Sequence, residues 1–155
     1  MTIYLVRHAK AGVRDSWPGD DEQRPLSGRG RLQALGLLDL LRDAQFERVI
    51  SSPYVRCIET VVPLAADRRI AIEPDEALAE GATLDEAVAL IRKHVQHGAV
   101  MCSHGDVIPM LLNHYASNGV DIGPAPQWPK GCVWVLQTDS IGEVTRAEYL
   151  PPPAD

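Results

Sequence analysis

Short apolar runs alternate along the chain with longer segments whose apolar positions recur at helical spacing. The short runs are rich in β-branched and aromatic residues, which is typical of strands. Predicted strands lie at residues 2–6, 47–51, 69–73 and 99–102, with two more near 131–138 and 143–149. Strands that alternate with helices predict an α/β three-layer sandwich, in which a mostly parallel central sheet is flanked by helices.

Capping signals mark where the predicted helices begin. Ser27 can cap a helix that runs to about residue 44, and Ser52 followed by Pro53 predicts a second helix start. Residues 83–86 (TLDE) form a capping box for a third helix to about residue 96. A fourth helix is predicted over residues 107–117. The expected buried face of the first helix consists of Leu32, Leu35, Leu38 and Leu41.

Length and composition fit one compact domain. The 155 residues are 45% hydrophobic and 23% charged, which is typical of globular proteins. We expect a single domain at residues 1–150, followed by a Pro-rich tail at residues 151–155. The pattern contains no internal repeat and no linker, and it leaves the oligomeric state open.

The net charge of the chain limits the classes of binding partner that we expect. The formal net charge of -6 gives no overall attraction to a nucleic acid polymer, so none is expected as a partner. The first apolar run, residues 2–6, is too short for a signal peptide or a membrane span. We therefore expect a cytoplasmic protein without a membrane partner. The three cysteines form no CxxC pair, which favours buried reduced thiols over a zinc site or disulfides.

Polar residues follow two of the predicted strands. Arg7 and His8 end the first strand, His104 follows residues 99–102, and Arg56 lies in the first turns of a helix. Ligands of α/β sheets bind beyond the carboxyl ends of strands, and arginine forks match the oxygens of phosphate. Cations disfavour the protonated form of a neighbouring histidine, which leaves a ring nitrogen free to attack phosphorus. The combination predicts a phosphatase with His8 as nucleophile and Arg7, Arg56 and His104 as phosphate ligands.

Other nucleophile and phosphate motifs fit less well. No cysteine is followed six positions later by arginine, as a thiol phosphatase needs, and no Walker-type loop is present. The turn at residues 101–105 (MCSHG) matches only the second half of a serine-hydrolase elbow, because Met101 replaces the first glycine. His94 and His97 have no evident third metal ligand. We therefore predict no metal and no cofactor.

Three separated motifs resemble the histidine phosphatase superfamily, and specifically its short SixA-type branch of phosphohistidine phosphatases. Residues 5–9 (LVRHA) match the signature histidine motif, and residues 24–27 (RPLS) match the segment after it. Residues 51–56 (SSPYVR) with Thr60 match a second motif, and residues 103–105 (SHG) match a third. The chain is also similar to the histidine-phosphatase domain that some actinobacterial proteins carry fused to a Nudix hydrolase, through residues 107–109 and 130–136.

The resemblance implies a mixed α/β sandwich that lacks the helical insertion subdomain of larger members. It implies a metal-independent phosphatase with a phosphohistidine intermediate on His8, and Arg7, Arg56, His104 and Gly105 at the phosphate. The SixA-type branch implies a phosphorylated protein, carrying phosphohistidine, as substrate. The Nudix-linked comparison raises small or nucleotide-derived phosphates instead. A phosphate-recognition module without turnover is the alternative of another class.

A carboxylate serves as proton donor in the wider family. Glu80, within the run LAEG, is the candidate here because its loop could fold over the phosphate. Glu76, Asp85 and Asp106 are the substitutes.

Overall fold

A computed structural model describes residues 1–154, which build a six-stranded sheet in the order β3-β2-β4-β1-β5-β6. Strands β1 to β4 pair in parallel, whereas β5 and β6 run antiparallel at one edge. The strands are β1 Thr2–Arg7, β2 Arg48–Ser51, β3 Ile72–Pro74, β4 Ala99–Ser103, β5 Val133–Thr138 and β6 Val144–Leu150. The predicted mostly parallel α/β sheet is confirmed.

Four α-helices cover the two faces of this sheet. They are α1 Gly28–Leu40, α2 Val55–Arg68, α3 Leu84–Lys93 and α4 Val107–Ser117. Three short 3-10 helices lie in the connections, at Arg14–Ser16, Asp21–Gln23 and Glu76–Leu78. None of the helices among residues 1–154 is long and apolar enough to cross a membrane.

Alternation along the strands divides the core into two layers. Leu5 and Met101 pack with residues of α3 and α4, whereas their neighbours Val6 and Cys102 pack with residues of α1 and α2. Successive strand side chains point to opposite faces, so a sheet that is buried on both faces needs continuous apolar runs. The three-layer arrangement is thereby confirmed.

The predicted buried face of α1 is partly wrong. Leu32 and Leu35 are 55% and 53% exposed, whereas Leu37 and Leu41 are buried. A spacing of three residues rotates by about 300° in an α-helix, so a row at that spacing drifts around the helix instead of staying on one face. Ser27 caps α1 through the N–H of Gly30 as predicted, but the helix ends at Leu40 rather than near residue 44.

The predicted start of α2 is also wrong. The helix begins at Val55, and Tyr54 precedes it without a side-chain cap. The Ser52 hydroxyl instead accepts a hydrogen bond from the Tyr54 N–H and contacts the ring of His104. The capping box at Thr83 is confirmed, although α3 ends at Lys93 rather than near residue 96.

The Pro-rich tail packs against α1. A Cβ placed on Gly36 would come within 2.5 Å of the Pro153 side chain, so the absence of a side chain at Gly36 allows this contact. Asp155, the last residue assigned to the tail, lies outside the described residues.

Candidate active site

A cavity of about 610 Å³ opens beyond the carboxyl ends of β1 and β4. It is the place where an open α/β sheet normally binds its ligand. All six site residues predicted from the sequence line it, namely Arg7, His8, Arg56, Glu80, His104 and Gly105.

The parallel pairing of β1 and β4 positions His8. Arg7 lies opposite Ser103 in the register, and the His8 N–H donates to the Ser103 carbonyl over 3.0 Å. The N–H of Gly131 donates to the carbonyls of both Arg7 and His8 over 3.1 Å. Backbone bonds on both sides thus hold the histidine, which is only 5% exposed.

The hydrogen bond at Nδ1 of His8 determines which ring nitrogen is available for chemistry. Nδ1 lies 2.8 Å from the carbonyl oxygen of Ala9. A carbonyl only accepts hydrogen bonds, so Nδ1 carries the ring proton and Nε2 keeps its lone pair. Nε2 is therefore the ring nitrogen whose lone pair is available.

The surroundings of His8 keep its ring neutral. Burial lowers the pKa of His8 to about 3, and the charges of His104, Arg56 and Arg7 act in the same direction. The bond to Ala9 opposes this shift only in part. The unprotonated ring needed for attack is consequently the resting form at neutral pH.

Arg7 reaches the cavity beneath Gly105. Its Nη1 donates to the Trp128 carbonyl over 2.8 Å, and its buried Nε has no hydrogen-bond partner. A Cβ at position 105 would lie 2.7 Å from Nη2 of Arg7, so glycine is required for the guanidinium to occupy this position. Gly105 therefore contributes space at the phosphate pocket.

Arg56 is almost fully buried and faces two carboxylates. Its Nη2 donates to Oδ2 of Asp21 over 3.1 Å and to Oε2 of Glu80 over 3.2 Å, while Nη1 donates to the Asp21 carbonyl. The guanidinium also lies 4.9 Å from the ring centroid of Tyr54. Its Nε, like that of Arg7, is buried without a partner. Two guanidinium groups that line one cavity provide the positive charge and the donors that suit a bound anion.

Contacts with Ser52 and Tyr54 hold the ring of His104 in place. Its Nε2 lies 2.8 Å from the Ser52 hydroxyl, and its ring packs edge to face against Tyr54 at 4.7 Å. Ser52 already accepts from the Tyr54 N–H, so its own hydroxyl proton can be donated to Nε2. In the tautomer that this bond selects, the ring proton of His104 lies on Nδ1.

Glu80 lines the cavity and accepts hydrogen bonds from two arginines. Oε1 accepts from Arg14 and Oε2 from Arg56, each over 3.2 Å. Asp106 fixes the adjoining loop, because its carboxylate accepts from the N–H groups of Gly81 and Val107. Glu76 and Asp85, the other substitutes, are not among the residues that line the cavity.

The sequence interpretation missed several charged residues of the site. Arg14, Arg24 and Lys130 line the cavity, and Asp21 pairs with Arg24 and Arg56. Burial alone would raise the pKa of Asp21, but the bond from Arg24 and the neighbouring arginine charges lower it. Arg24 belongs to the RPLS motif at residues 24–27, but the sequence of that motif does not indicate that Arg24 contacts Asp21.

His94 and His97 lie away from this cavity. The Nδ1 of His97 pairs with Glu47 over 3.1 Å, and His94 is buried. No group of three or more His, Cys, Asp or Glu residues within residues 1–154 has the geometry to hold a metal ion.

Comparisons with known proteins identify the family. Residues 3–86 match the model of the histidine phosphatase superfamily (branch 1), which covers more than half of the chain. The chain belongs to the histidine phosphatase superfamily.

Individual relatives differ in their named substrates. The chain is 33% identical to the 8-oxo-(d)GTP phosphatase of Mycolicibacterium smegmatis over 98% of its own length, but it spans only 48% of that relative. A phosphohistidine phosphatase SixA structure from Agrobacterium tumefaciens, described as putative, superposes with a TM-score of 0.78 at 20% identity, covering 99% of this chain and 98% of the other. The protein histidine phosphatase SixA complexed with tungstate gives 0.73 at 18% identity, covering 99% and 97%. These last two likenesses establish the fold alone.

Proposed function

We propose that this chain is a metal-independent phosphatase that transfers a phosphoryl group from its substrate to Nε2 of His8 and then to water. The observation that carries the proposal is the neutral His8 ring, with Nδ1 bonded to the Ala9 carbonyl, beside the guanidinium groups of Arg7 and Arg56 in one cavity. A nucleophile and preorganised donors for its target then occupy one cavity.

In the first step, Nε2 of His8 attacks phosphorus while the bond to the leaving group breaks. Arg7, Arg56 and His104 donate to the equatorial oxygens, where negative charge accumulates. The side chains of Arg7, Arg56 and His104 line the cavity together with His8, where they face the same bound phosphate. The product is a phosphohistidine, with the leaving group released.

We propose that Glu80 is the proton donor to the leaving group. A phosphate that binds Arg56 competes with Glu80 for the same guanidinium, and the released carboxylate can take up a proton from solvent and pass it to a departing alkoxide. In the second step a water attacks phosphorus, the bond to Nε2 breaks, and Glu80 takes up the proton of that water. Inorganic phosphate leaves and His8 returns to its resting form.

For the substrate we favour a small phosphorylated molecule. The cavity volume of about 610 Å³ falls in the range of small-molecule sites, and the relative named 8-oxo-(d)GTP phosphatase aligns with nearly the whole chain. A protein carrying phosphohistidine is the second candidate, which the similarity in fold to SixA supports.

Phosphate release with EDTA present tests the proposal. The substrates are p-nitrophenyl phosphate, a nucleoside phosphate and a phosphohistidine peptide, and the enzymes are wild type and His8→Ala. We expect turnover by the wild type only, and the preferred substrate decides between the two classes. Phosphate binding without turnover of any substrate would favour a recognition module instead.

A further inference from the structure

The cavity carries an excess of positive charge in an acidic chain. Five cations line it, whereas Glu80 and Asp106 are the carboxylates among its lining residues. Four of the cations are arginines, and each has hydrogen-bond acceptors within the protein. The fifth, Lys130, forms no ion pair with any carboxylate of residues 1–154.

The backbone around Lys130 is tied directly to the nucleophile. The Trp128 carbonyl accepts from Arg7, and the N–H of Gly131 donates to the carbonyls of Arg7 and His8. The carbonyl of Lys130 itself accepts from the Gln33 side chain over 3.3 Å. Gly131 adopts a positive φ of 86°, a conformation natural to glycine, at the point where the chain turns past His8. Lys130 therefore projects from a fixed segment at the cavity.

Lys130 is exposed to solvent where it lines the cavity, together with four arginines. Partial burial lowers its pKa, and the charges of Arg7, Arg24, Arg56 and Arg14 lower it further. A cation held among four others lacks a counter-charge in the protein, and an anionic ligand would supply one.

We propose that Lys130 is a specificity-determining residue that binds a second phosphoryl group of the substrate, next to the one attacked by His8. The inference rests on the proposed phosphatase function and deepens it. It selects diphosphate compounds, such as nucleoside diphosphates, over monoesters.

Hydrolysis of such a substrate begins with one bond formed and one bond broken. Nε2 of His8 attacks the terminal phosphorus, the bond from that phosphorus to the bridging oxygen breaks, and the remaining monophosphate leaves with that oxygen. Lys130 neutralises the charge that develops on this leaving group. A phosphate is a better leaving group than an alkoxide, so this reaction depends little on a proton from Glu80.

Binding of pyrophosphate and of inorganic phosphate tests the proposal directly. Calorimetry gives the two affinities for wild type, Lys130→Ala, Lys130→Arg and the control Lys93→Ala, which removes an exposed lysine outside the cavity. We expect wild type to bind pyrophosphate about tenfold more tightly than phosphate. Lys130→Ala should lose most of this preference, Lys130→Arg should retain it, and Lys93→Ala should leave it unchanged.

Kinetics provide the second measurement. The kcat/KM for ADP should fall about tenfold or more in Lys130→Ala, and the fall for p-nitrophenyl phosphate should be several-fold smaller. Equal losses on both substrates, or an unchanged pyrophosphate preference, would overturn the role of Lys130. Failure of the wild type to hydrolyse any phosphate would overturn the proposed function instead, while the calorimetry would still decide whether Lys130 binds the second phosphate.

Discussion

The imidazoles of His8 and His104 meet edge to face, with ring centroids 5.5 Å apart. The parallel pairing of β1 with β4 brings them together, because each histidine directly follows one of these strands. Both rings line the same cavity: His8 presents the lone pair of Nε2, and His104, when Ser52 donates to its Nε2, presents the proton of Nδ1. The proposed division of labour between attack and phosphate binding follows from this difference.

Ser52→Ala should weaken catalysis without unfolding the site. The change removes the partner that fixes the ring of His104 through Nε2, so phosphate loses a correctly protonated donor. We expect kcat/KM to fall about tenfold and its pH profile to shift, while the free energy of unfolding changes by about 1 kcal/mol. Steady-state kinetics across pH measure both effects.

Ser117→Ala is the control for the Ser52 variant, because the exposed Ser117 hydroxyl bonds only to the Asn113 carbonyl within α4. An unchanged pH profile in Ser52→Ala would contradict the role of Ser52 as a positioning residue for His104.

Glu80→Gln should harm poor leaving groups selectively. The amide keeps a similar size but cannot deliver a proton, so alkyl phosphates should lose about 100-fold in kcat while p-nitrophenyl phosphate loses less than about tenfold. Hydrolysis rates on the two substrates give the ratio. Asp85→Asn, an exposed carboxylate of α3, should change neither rate. Equal losses on the two substrates would remove Glu80 as the proton donor.

Gly105→Ala should displace Arg7. The added Cβ would lie 2.7 Å from Nη2 and 2.8 Å from Cζ of that guanidinium, closer than such atoms approach. We expect the affinity for inorganic phosphate, measured as inhibition, to fall about tenfold or more. Gly28→Ala is the matched control, since a Cβ there meets nothing within 4 Å. Normal phosphate affinity in Gly105→Ala would show that Arg7 does not need its observed position.

Acid should destabilise the wild type through His8. The unfolded chain binds a proton at His8 as the pH falls below about 6.5, whereas the folded state does so only near its pKa of about 3. Stability is therefore lost progressively as the pH falls through this window. Between about pH 7.5 and about pH 5 the wild type should lose on the order of 2 kcal/mol more than His8→Gln.

Urea unfolding at the two pH values measures this difference. His114→Gln, which removes a histidine of α4 outside the cavity, controls for the loss of an ordinary imidazole. Equal acid losses in wild type and His8→Gln would contradict the buried neutral state of His8.

The sequence predicted the elements well wherever local chemistry determines them. Short apolar runs located all six strands, although the third begins at Ile72 rather than at residue 69, because Arg69 ends α2. The helix caps Ser27 and Thr83 were predicted correctly. The exposed Leu32 shows the limit, because the choice of buried face on α1 depends on how that helix lies against α2 and the sheet. Ser52 shows another limit, since its hydroxyl serves a distant histidine rather than the nearest helix.

The central residues of the site could also be predicted, because the proposed phosphate ligands lie at strand ends or in known motifs. The other charged residues around the cavity could not be predicted. The pairing of Asp21 with Arg56 and the approach of Lys130 to the cavity depend on loop paths. Loops are determined by tertiary contacts, such as the bond from Gln33 to the carbonyl of Lys130, which no local pattern encodes.

The most direct test of the central claim is to trap the covalent intermediate. Rapid quenching during turnover of a labelled substrate, followed by peptide mapping under alkaline conditions, locates the phosphoryl group. We predict an acid-labile phosphohistidine at His8 in the wild type and in Glu80→Gln, and none in His8→Ala. A phosphoryl group on any other residue, or turnover by His8→Ala at the wild-type rate, would contradict the account.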